Sequence, residues 1–241
     1  MKKNNSRVLF FGNKQQQFIP TEYKNSTPET VLNCSPFDSL VSIAPIKQLV
    51  FLHQVHGIDG IVVHDYHQTL SLLCFKHEGD FLITNVPLMG LAVATADCLP
   101  IIFYDDINHV VAIAHAGWRG SVNGIALRVL QRLQQEYSTK LDQLKIFFGP
   151  YAKNCCYQVG QEFRDLIAPI VNGQVFTQKN GAFFFDLGMY NRLVMKGAGV
   201  PESSFSFDYV QCTICTLYFC SVRAQPGTLF RQLSMVSLLP F

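Results

Sequence analysis

The stretch TADCLPIIFYDDINHVVAIAHAGWRG, residues 95–120, contains the clearest predicted strands of the chain and two candidate functional residues. Residues 101–104 and 110–114 are short runs of β-branched and aromatic residues bounded by turn-forming residues, which is typical of buried strands. Cys98 and His115 lie at the ends of these apolar runs, beside the turns. A thiol and an imidazole at such positions are candidates for metal binding or catalysis.

Similar apolar runs and a few helical patterns extend along the rest of the chain. Further strands are predicted at 61–64, 81–84, 91–95, 144–148, 205–210, 217–222 and the last ten residues. Helices are predicted at 120–137, at 161–167 before Ala168-Pro169, and from an Asp186 cap to about Lys196. Because strands and helices alternate without a strict βαβ rhythm, we expect an α+β protein with helices outside mixed sheets.

Composition excludes several classes of protein. The 241 residues are 49% hydrophobic and 15% charged, which indicates a globular rather than a disordered chain. Lys and Arg number 19 against 17 Asp and Glu, so no strong charge favours nucleic acid or a membrane as partner. The polar, proline-containing segment 15–36 is the most linker-like part and could be a surface loop or a partly ordered loop.

The eight cysteines are interpreted through the expected cellular location. The N-terminus has only a short apolar run, so we expect no secretory signal and a cytoplasmic protein. The cysteines are then reduced thiols or metal ligands rather than a disulfide framework. Cys155-Cys156 and the Cys212-x-x-Cys215 pair could form a four-cysteine zinc site. Adjacent cysteines on a strand face opposite ways, however, so buried reduced thiols are the expectation for these four.

Three segments carry the residues most suited to catalysis: LHQVHG at 52–57, TADCLP at 95–100 and AHAGWRG at 114–120. His56, Cys98 and His115 could form a set of two imidazoles and one thiolate. Three protein ligands with a fourth position left for water is the pattern of a catalytic zinc ion. Asp97 is a candidate to orient one of the two histidines.

The turn after His115 is a candidate anion site. Gly117 and Gly120 allow backbone N–H groups to approach a ligand, and the helix predicted from Gly120 would present its positive end there. Arg119 adds a guanidinium suited to phosphate or carboxylate. An Arg119 that merely pairs with a carboxylate to stabilise the turn is the alternative.

The motifs in order resemble the YfiH or laccase-domain family, to which the mammalian protein FAMIN also belongs. They are VHG, EGDFLIT, TADCLPI, AHAGWRG, GP with CCYQVG, and CTIC followed by Ser-Val-Arg, and they cover residues 50 to about 231. The resemblance implies two mixed sheets flanked by helices in α/β/β/α layers, similar to the catalytic domain of cytotoxic necrotizing factor. It implies one domain over residues 1–241, with a divergent N-terminal segment 1–48.

The resemblance also implies a function. Members act as purine nucleoside phosphorylases on adenosine, inosine and methylthioadenosine, and they deaminate adenosine. His56, Cys98 and His115 would meet in one pocket and bind zinc, with copper as an adventitious substitute. The substrates would be a purine nucleoside and phosphate, and the protein a monomer or homodimer.

The resemblance and the residue types together suggest the substrate-binding positions. Arg119 and the backbone at Gly117 would bind phosphate, and Asp80 would orient either a ribose hydroxyl or a ligand histidine. An Asp80 that only caps a helix or a turn is the alternative. Arg223 and Arg231 match family arginines near the C-terminus, although their neighbours Ala224 and Phe230 depart from the family pattern.

Three other functions stay open at this point. A polyphenol oxidase of the multicopper type would need several His-x-His pairs, and the seven histidines include none. A zinc amidohydrolase that edits peptidoglycan precursors would use the same metal site, with Arg119 on a substrate carboxylate. A non-catalytic metal-binding module would normally offer four protein ligands instead of three.

Overall fold

The computed structural model of the chain describes residues 7–171 and 173–240, in which fourteen strands and five α-helices form. The strands are β1 (Arg7–Phe11), β2 (Gln17–Phe18), β3 (Gln48–Val50), β4 (Gly60–Val63), β5 (Phe81–Thr84), β6 (Met89–Thr95), β7 (Leu99–Asp105), β8 (Val110–Ala116), β9 (Leu144–Phe148), β10 (Gln158–Val159), β11 (Phe176–Lys179), β12 (Ala182–Phe185), β13 (Phe205–Ser206) and β14 (Arg231–Leu238). The helices are α1 (Asp38–Ile43), α2 (Trp118–Val122), α3 (Ile125–Tyr137), α4 (Gln161–Val171) and α5 (Leu187–Gly197). Over the described ranges, none of these helices has the length and apolarity needed to cross a lipid bilayer.

Strands β7 and β8 form an antiparallel hairpin, and every residue of the two strands is buried. The carboxylate of Asp105 accepts hydrogen bonds from the N–H groups of Ile107 and Asn108, both at 3.0 Å, and so stabilises the connecting turn. In this register Pro100 lies opposite His115. Cys98, which immediately precedes β7, therefore comes close to His115.

Two large mixed sheets form the centre of the fold. The six-stranded sheet has the order β13-β9-β7-β8-β5-β4, and its outer pairs β13–β9 and β5–β4 are parallel. The five-stranded sheet has the order β1-β14-β6-β3, with β2 also paired to β14. A third, antiparallel sheet of β10, β12 and β11 was not expected. The predicted α+β class with mixed sheets is confirmed.

The hydrophobic core explains how these sheets are arranged. Leu91 and Val236 of the five-stranded sheet share a buried cluster with Ile102 and Ile113 of the six-stranded sheet, so the two sheets pack face to face. Alternate residues of the six-stranded sheet contact the apolar side of α3, and α1 covers the other face of the five-stranded sheet. Each sheet thus buries both of its faces, which accounts for its nearly uninterrupted apolar strands.

Two of the predicted helices have different limits. The helix expected at 120–137 is two helices, α2 and α3, because Gly124 adopts a left-handed conformation with φ of +92° between them. Helix α4 was expected to end before Ala168-Pro169 but continues to Val171. Ile167 and Val171 are both buried against the core, and this packing outweighs the hydrogen bond that the proline removes.

The predicted strands near the C-terminus are also partly wrong. Of residues 205–210 only Phe205–Ser206 pairs with a neighbour, and residues 217–222 form turns instead of a strand. Leu217 is 83% exposed, so the apolar pattern there does not reflect burial. The N–H of Cys220 donates to the Gln232 side chain at 2.6 Å, outside any strand ladder. The final strand β14 ends at Leu238, and Phe241 lies outside the described residues.

Segment 15–36 is not the surface loop that its composition suggests. It contains 3-10 helices at Pro20–Tyr23 and Thr30–Asn33, and Phe18 and Val31 are buried in the cluster beside the five-stranded sheet. The Phe18 ring packs edge-on against that of Phe37, with centroids 4.9 Å apart. The apolar residues of segment 15–36 are too widely spaced to form a helical or strand pattern, yet they pack against the five-stranded sheet. Residues 1–6 of the divergent segment 1–48 lie outside the described residues.

Candidate metal centre

His56, Cys98 and His115 meet at one point, although they are far apart in sequence. His56 lies in the loop between β3 and β4, Cys98 immediately precedes β7, and His115 is the penultimate residue of β8. Their potential ligand atoms all lie within 4.8 Å of one another. The Nε2 atom of His56 is 3.8 Å from the Cys98 sulfur, and the two imidazole rings meet edge-on with centroids 4.8 Å apart.

Asp80 holds two parts of this site together. Its carboxylate accepts a hydrogen bond from Nδ1 of His115 at 2.8 Å. It also accepts the backbone N–H groups of Val55, His56 and Gly57, at 3.2, 3.0 and 2.6 Å. Of the two sequence-based roles for Asp80, the structure places it in contact with a histidine. Because Nδ1 is engaged, Nε2 is the ring nitrogen that His115 offers to a metal ion.

These hydrogen bonds also explain the conformation of the His56 loop. His56 has a φ of +61°, in the left-handed region that costs an L-residue roughly 1–2 kcal/mol. Three consecutive N–H groups pointing at one carboxylate form a concave anion site that this conformation makes possible. The charge of Asp80 thereby stabilises a backbone shape that aims the His56 ring at Cys98.

Asp97 has a different role from the one expected of it. Its carboxylate accepts the Thr213 hydroxyl at 2.7 Å and the backbone N–H of Arg223 at 2.8 Å, so no histidine is its partner in these contacts. Asp97 itself has a φ of +87°. It therefore fixes the turn that presents Cys98 and joins this turn to the segment around residues 213–223.

Gly117 is needed because the site is crowded. A Cβ atom at this position would lie 2.8 Å from Cδ2 of His56 and 3.1 Å from the Cys98 sulfur. The first distance is shorter than any ordinary carbon contact, so a larger residue would push the trio apart. The structure thus brings Gly117 against two of the three candidate ligands.

The thiol and the imidazole of this site shift each other's ionisation. Burial alone raises the pKa of Cys98, but the charge and hydrogen bond of His115 outweigh it and lower that pKa to about 6. Burial likewise lowers the pKa of His115, but the Cys98 charge and the Asp80 hydrogen bond raise it to about 9. This contact favours the thiolate of Cys98, which is the form that binds metals. His115 would release its second ring proton when it binds a metal ion.

The donor set fits zinc. Two imidazole nitrogens and one thiolate are ligands that Zn²⁺ prefers, and a carboxylate bonded to the distal nitrogen of a ligating histidine is a recurrent second partner in zinc sites. Three protein ligands leave one position in a tetrahedron for a further ligand. His56 is exposed, Cys98 is partly exposed and His115 is buried, so the site is open on the side of His56.

That open side faces a cavity of about 510 Å³. The cavity lies within the size range of small-molecule sites. Its walls combine apolar side chains with three cations, Lys24, Arg223 and Arg231. The Arg223 guanidinium lies over the Tyr157 ring, 4.9 Å from its centre, and donates to the carbonyl of Gln158 at 3.1 Å. Arg223 keeps further N–H donors beyond that single bond.

Arg119 does not share this environment. It is exposed, its guanidinium lies 4.6 Å from the centre of the Trp118 ring, and it is not among the residues that line the cavity. Helix α2, which was expected to begin at Gly120, begins at Trp118, so Arg119 is inside its first turn. Of Trp118, Arg119 and Gly120, Trp118 is the one that lines the cavity.

Several residues that line the cavity were not predicted from the sequence. Lys24 comes from the segment interpreted as a loop, and Tyr157 from the motif CCYQVG without being singled out. Gln54 also lines the cavity and is fixed there by two hydrogen bonds with the backbone of Ala94, at 2.7 and 2.8 Å. His53, three residues before His56, is a lining residue too. The sequence signal that could have identified Gln54 is its position inside the LHQVHG motif, two residues before His56.

The part of the chain that contains this site matches a known protein family. A family model described as multi-copper polyphenol oxidoreductase laccase matches residues 26–239. The chain belongs to this family. The expected laccase-domain membership is thereby confirmed, and the match includes all three candidate ligands.

Two relatives with named activities and two solved structures are similar to this chain. A purine nucleoside phosphorylase of Borreliella burgdorferi is 33% identical over 175 residues, which are 70% of this chain and 70% of that protein. An adenosine deaminase named RL5, from an unknown prokaryote, is 32% identical over 187 residues, 74% of this chain and 71% of that one. The crystal structure of YfiH from Bacillus licheniformis has a TM-score of 0.82 at 25% identity, covering 98% of this chain and 94% of that chain. YlmD from Geobacillus stearothermophilus has a TM-score of 0.80 at 25% identity, covering 100% and 94%.

Replacing Asp80 by asparagine tests its role in this laccase-domain site. An amide has one acceptor oxygen, and each Asp80 oxygen accepts two hydrogen bonds, so the NH₂ group of asparagine would face two N–H donors. We expect zinc affinity to fall by roughly 10- to 100-fold and the free energy of unfolding by about 1–3 kcal/mol. The measurements are chelator competition for zinc and denaturant unfolding of the metal-free protein.

Asp59→Asn is the matched control, because Asp59 has an exposed side chain three residues after His56 and contacts Asp80 through its backbone carbonyl. It should change neither quantity. Wild-type zinc affinity in Asp80→Asn would show that the Asp80–His115 hydrogen bond does not organise the site.

Proposed function

We propose that this protein is a zinc-dependent purine nucleoside phosphorylase acting on adenosine, inosine and methylthioadenosine, with adenosine deamination as a second reaction. The observation that carries the proposal is the trio of His56, Cys98 and His115 beside a cavity lined by three cations. A metal-capable site next to positive charge suits a reaction that joins an anion to a nucleoside. The names of the relatives, purine nucleoside phosphorylase and adenosine deaminase, support the same two reactions.

The trio would hold the metal ion. When bound, zinc would supply a Lewis acid beside the leaving purine in phosphorolysis, or beside a water molecule in deamination. Asp80 keeps His115 in the tautomer that presents Nε2 and supports the loop of His56. Gly117 leaves the space that the ligands need. Copper could replace zinc adventitiously, since it binds most such sites more tightly.

Phosphate is assigned in this proposal to the cavity cations. In phosphorolysis a phosphate oxygen forms a bond to C1′ of the ribose while the bond from C1′ to the purine nitrogen breaks. Arg223 is fixed by its contact with Tyr157 and by the hydrogen bond to Gln158, so its remaining donors have a defined direction. Arg231 and Lys24 add charge to the same walls. Arg119, exposed beside Trp118, stays an alternative phosphate ligand.

The predicted domain organisation, cellular location and oligomeric state complete this proposal. We propose that residues 1–241 act as one catalytic domain, in the cytoplasm, as a monomer or homodimer without a nucleic-acid or membrane partner. The α/β/β/α layering predicted from the resemblance is consistent with the face-to-face packing of the two large sheets. The similarity to the catalytic domain of cytotoxic necrotizing factor stays a prediction.

A product assay with adenosine tests the proposed activity. With phosphate, purified zinc-loaded protein should release adenine and ribose-1-phosphate, and without phosphate the products should be inosine and ammonia. Cys98→Ala should abolish both reactions, because one metal ligand is lost, while the melting temperature stays close to that of wild type. Chromatographic product analysis and thermal unfolding give the two readouts. Turnover of none of the three nucleosides by folded, zinc-loaded protein would contradict the proposal.

Substitution of the two candidate arginines distinguishes their roles. Lysine keeps the charge of arginine but loses its planar fork. If Arg223 binds phosphate, Arg223→Lys should raise the phosphate KM roughly 10-fold or more and leave deamination nearly unchanged. Arg119→Lys should behave like Arg128→Lys, a control on the exposed side of α3. A raised phosphate KM in Arg119→Lys alone would move the phosphate site to the Gly117 turn.

A further inference from the structure

A second group of possible metal ligands lies outside the His56–Cys98–His115 trio. The sulfur atoms of four cysteines lie within 4.8 Å of one another; they are Cys155, Cys156, Cys212 and Cys215. The argument that adjacent cysteines face opposite ways does not apply, since Cys155 and Cys156 lie in a turn and not on a strand. The expectation of buried thiols is also wrong for Cys155 and Cys215, which are exposed.

We propose that these four cysteines bind a structural zinc ion, independently of the trio. Sulfur atoms at the corners of a tetrahedron with Zn–S bonds of ~2.3 Å are separated by ~3.8 Å. The Cys155 and Cys215 sulfurs are 3.8 Å apart. A disulfide would need ~2.05 Å. Four thiolates fill the tetrahedron and leave no position for a substrate, so this ion stabilises structure and takes no part in catalysis.

The spacing of Cys212 and Cys215 is typical of a zinc-binding turn. Two residues separate them, as in the cysteine pairs of structural zinc sites. The Thr216 N–H donates to the Cys212 carbonyl at 3.1 Å and closes this turn. The turn brings both sulfurs within 4.8 Å of each other and of the sulfurs of Cys155 and Cys156.

The ion would join two segments that are 60 positions apart. They are already connected by the hydrogen bonds from the Tyr151 N–H to the Gln211 carbonyl and from the Thr213 N–H to the Tyr151 carbonyl. Tyr157 directly follows Cys156, and Thr213 donates to Asp97 beside Cys98. The four-cysteine site is therefore connected to the cavity wall that carries Tyr157 and Arg223, whose N–H also donates to Asp97. Zinc there would fix this wall.

Zinc content of the protein, purified under reducing conditions, tests the site directly. The double variant Cys155→Ser/Cys215→Ser removes the two exposed ligands, and Cys34→Ser is the control, because Cys34 is a free cysteine outside both groups. By elemental analysis the double variant should contain one zinc per chain less than the control. Its melting temperature should fall, since structural zinc contributes directly to folding. Cys215→Ser alone, the milder change, should weaken zinc binding in the same direction.

Cobalt substitution separates this site from the proposed catalytic one. Cys98→Ala leaves all four cysteines, so it should keep the intense thiolate-to-cobalt absorption, whereas the double variant should lose most of it. This result does not depend on whether the protein is a phosphorylase. Equal zinc content in the double variant and Cys34→Ser would overturn the proposal. So would a disulfide among the four cysteines of freshly purified protein, seen as a two-hydrogen mass loss that reductant reverses.

Discussion

The hydrogen bonds to the Asp80 carboxylate are the contacts on which the candidate site depends. Asp80 is 1% exposed, and its carboxylate accepts hydrogen bonds from His115 and from three consecutive backbone N–H groups of the His56 loop. A buried carboxylate is costly unless such donors compensate it. Burial alone would raise the pKa of Asp80, yet these hydrogen bonds, led by that of His115, lower it below its usual value. The same bonds determine the ring orientation of His115 and the left-handed conformation of His56.

The hairpin of β7 and β8 supplies the rigid frame around this carboxylate. It fixes His115 opposite Pro100 and places Cys98 at the adjacent turn, while Gly117 leaves room for close contact. Asp97 then extends the frame to Thr213 and Arg223. The candidate metal ligands and one cavity wall are thus connected by short polar contacts rather than by flexible loops. This arrangement pre-organises the site, which is what metal binding and positioning of substrate both require.

Much of this could be predicted from the sequence, because the relevant signals are local. The strands of the hairpin, and the positions of His56, Cys98 and His115 beside glycines and turns, follow from short-range pattern. The α5 cap is equally local: the Asp186 side chain accepts the Met189 N–H at 2.9 Å, as its position before the helix indicates.

The features that were missed depend on contacts between distant segments. The continuation of α4 past Pro169 depends on packing and not on propensity, whereas the break at Gly124 comes from a left-handed glycine inside a helical pattern. The cluster of Cys155 and Cys215 requires two turns to meet, and neither turn indicates the other. The cavity cations likewise come from segments whose local composition does not indicate that they face the trio.

Zinc-edge anomalous diffraction from crystals of zinc-loaded protein is the most direct test of the central claim, that Asp80 organises a three-ligand metal site. The account predicts a zinc peak bonded to Nε2 of His56, to the Cys98 sulfur and to Nε2 of His115, at ~2.0–2.3 Å. Asp80 should remain on Nδ1 of His115, with a non-protein ligand in the fourth position. An ion bonded directly to Asp80, or no peak among these three side chains, would contradict it.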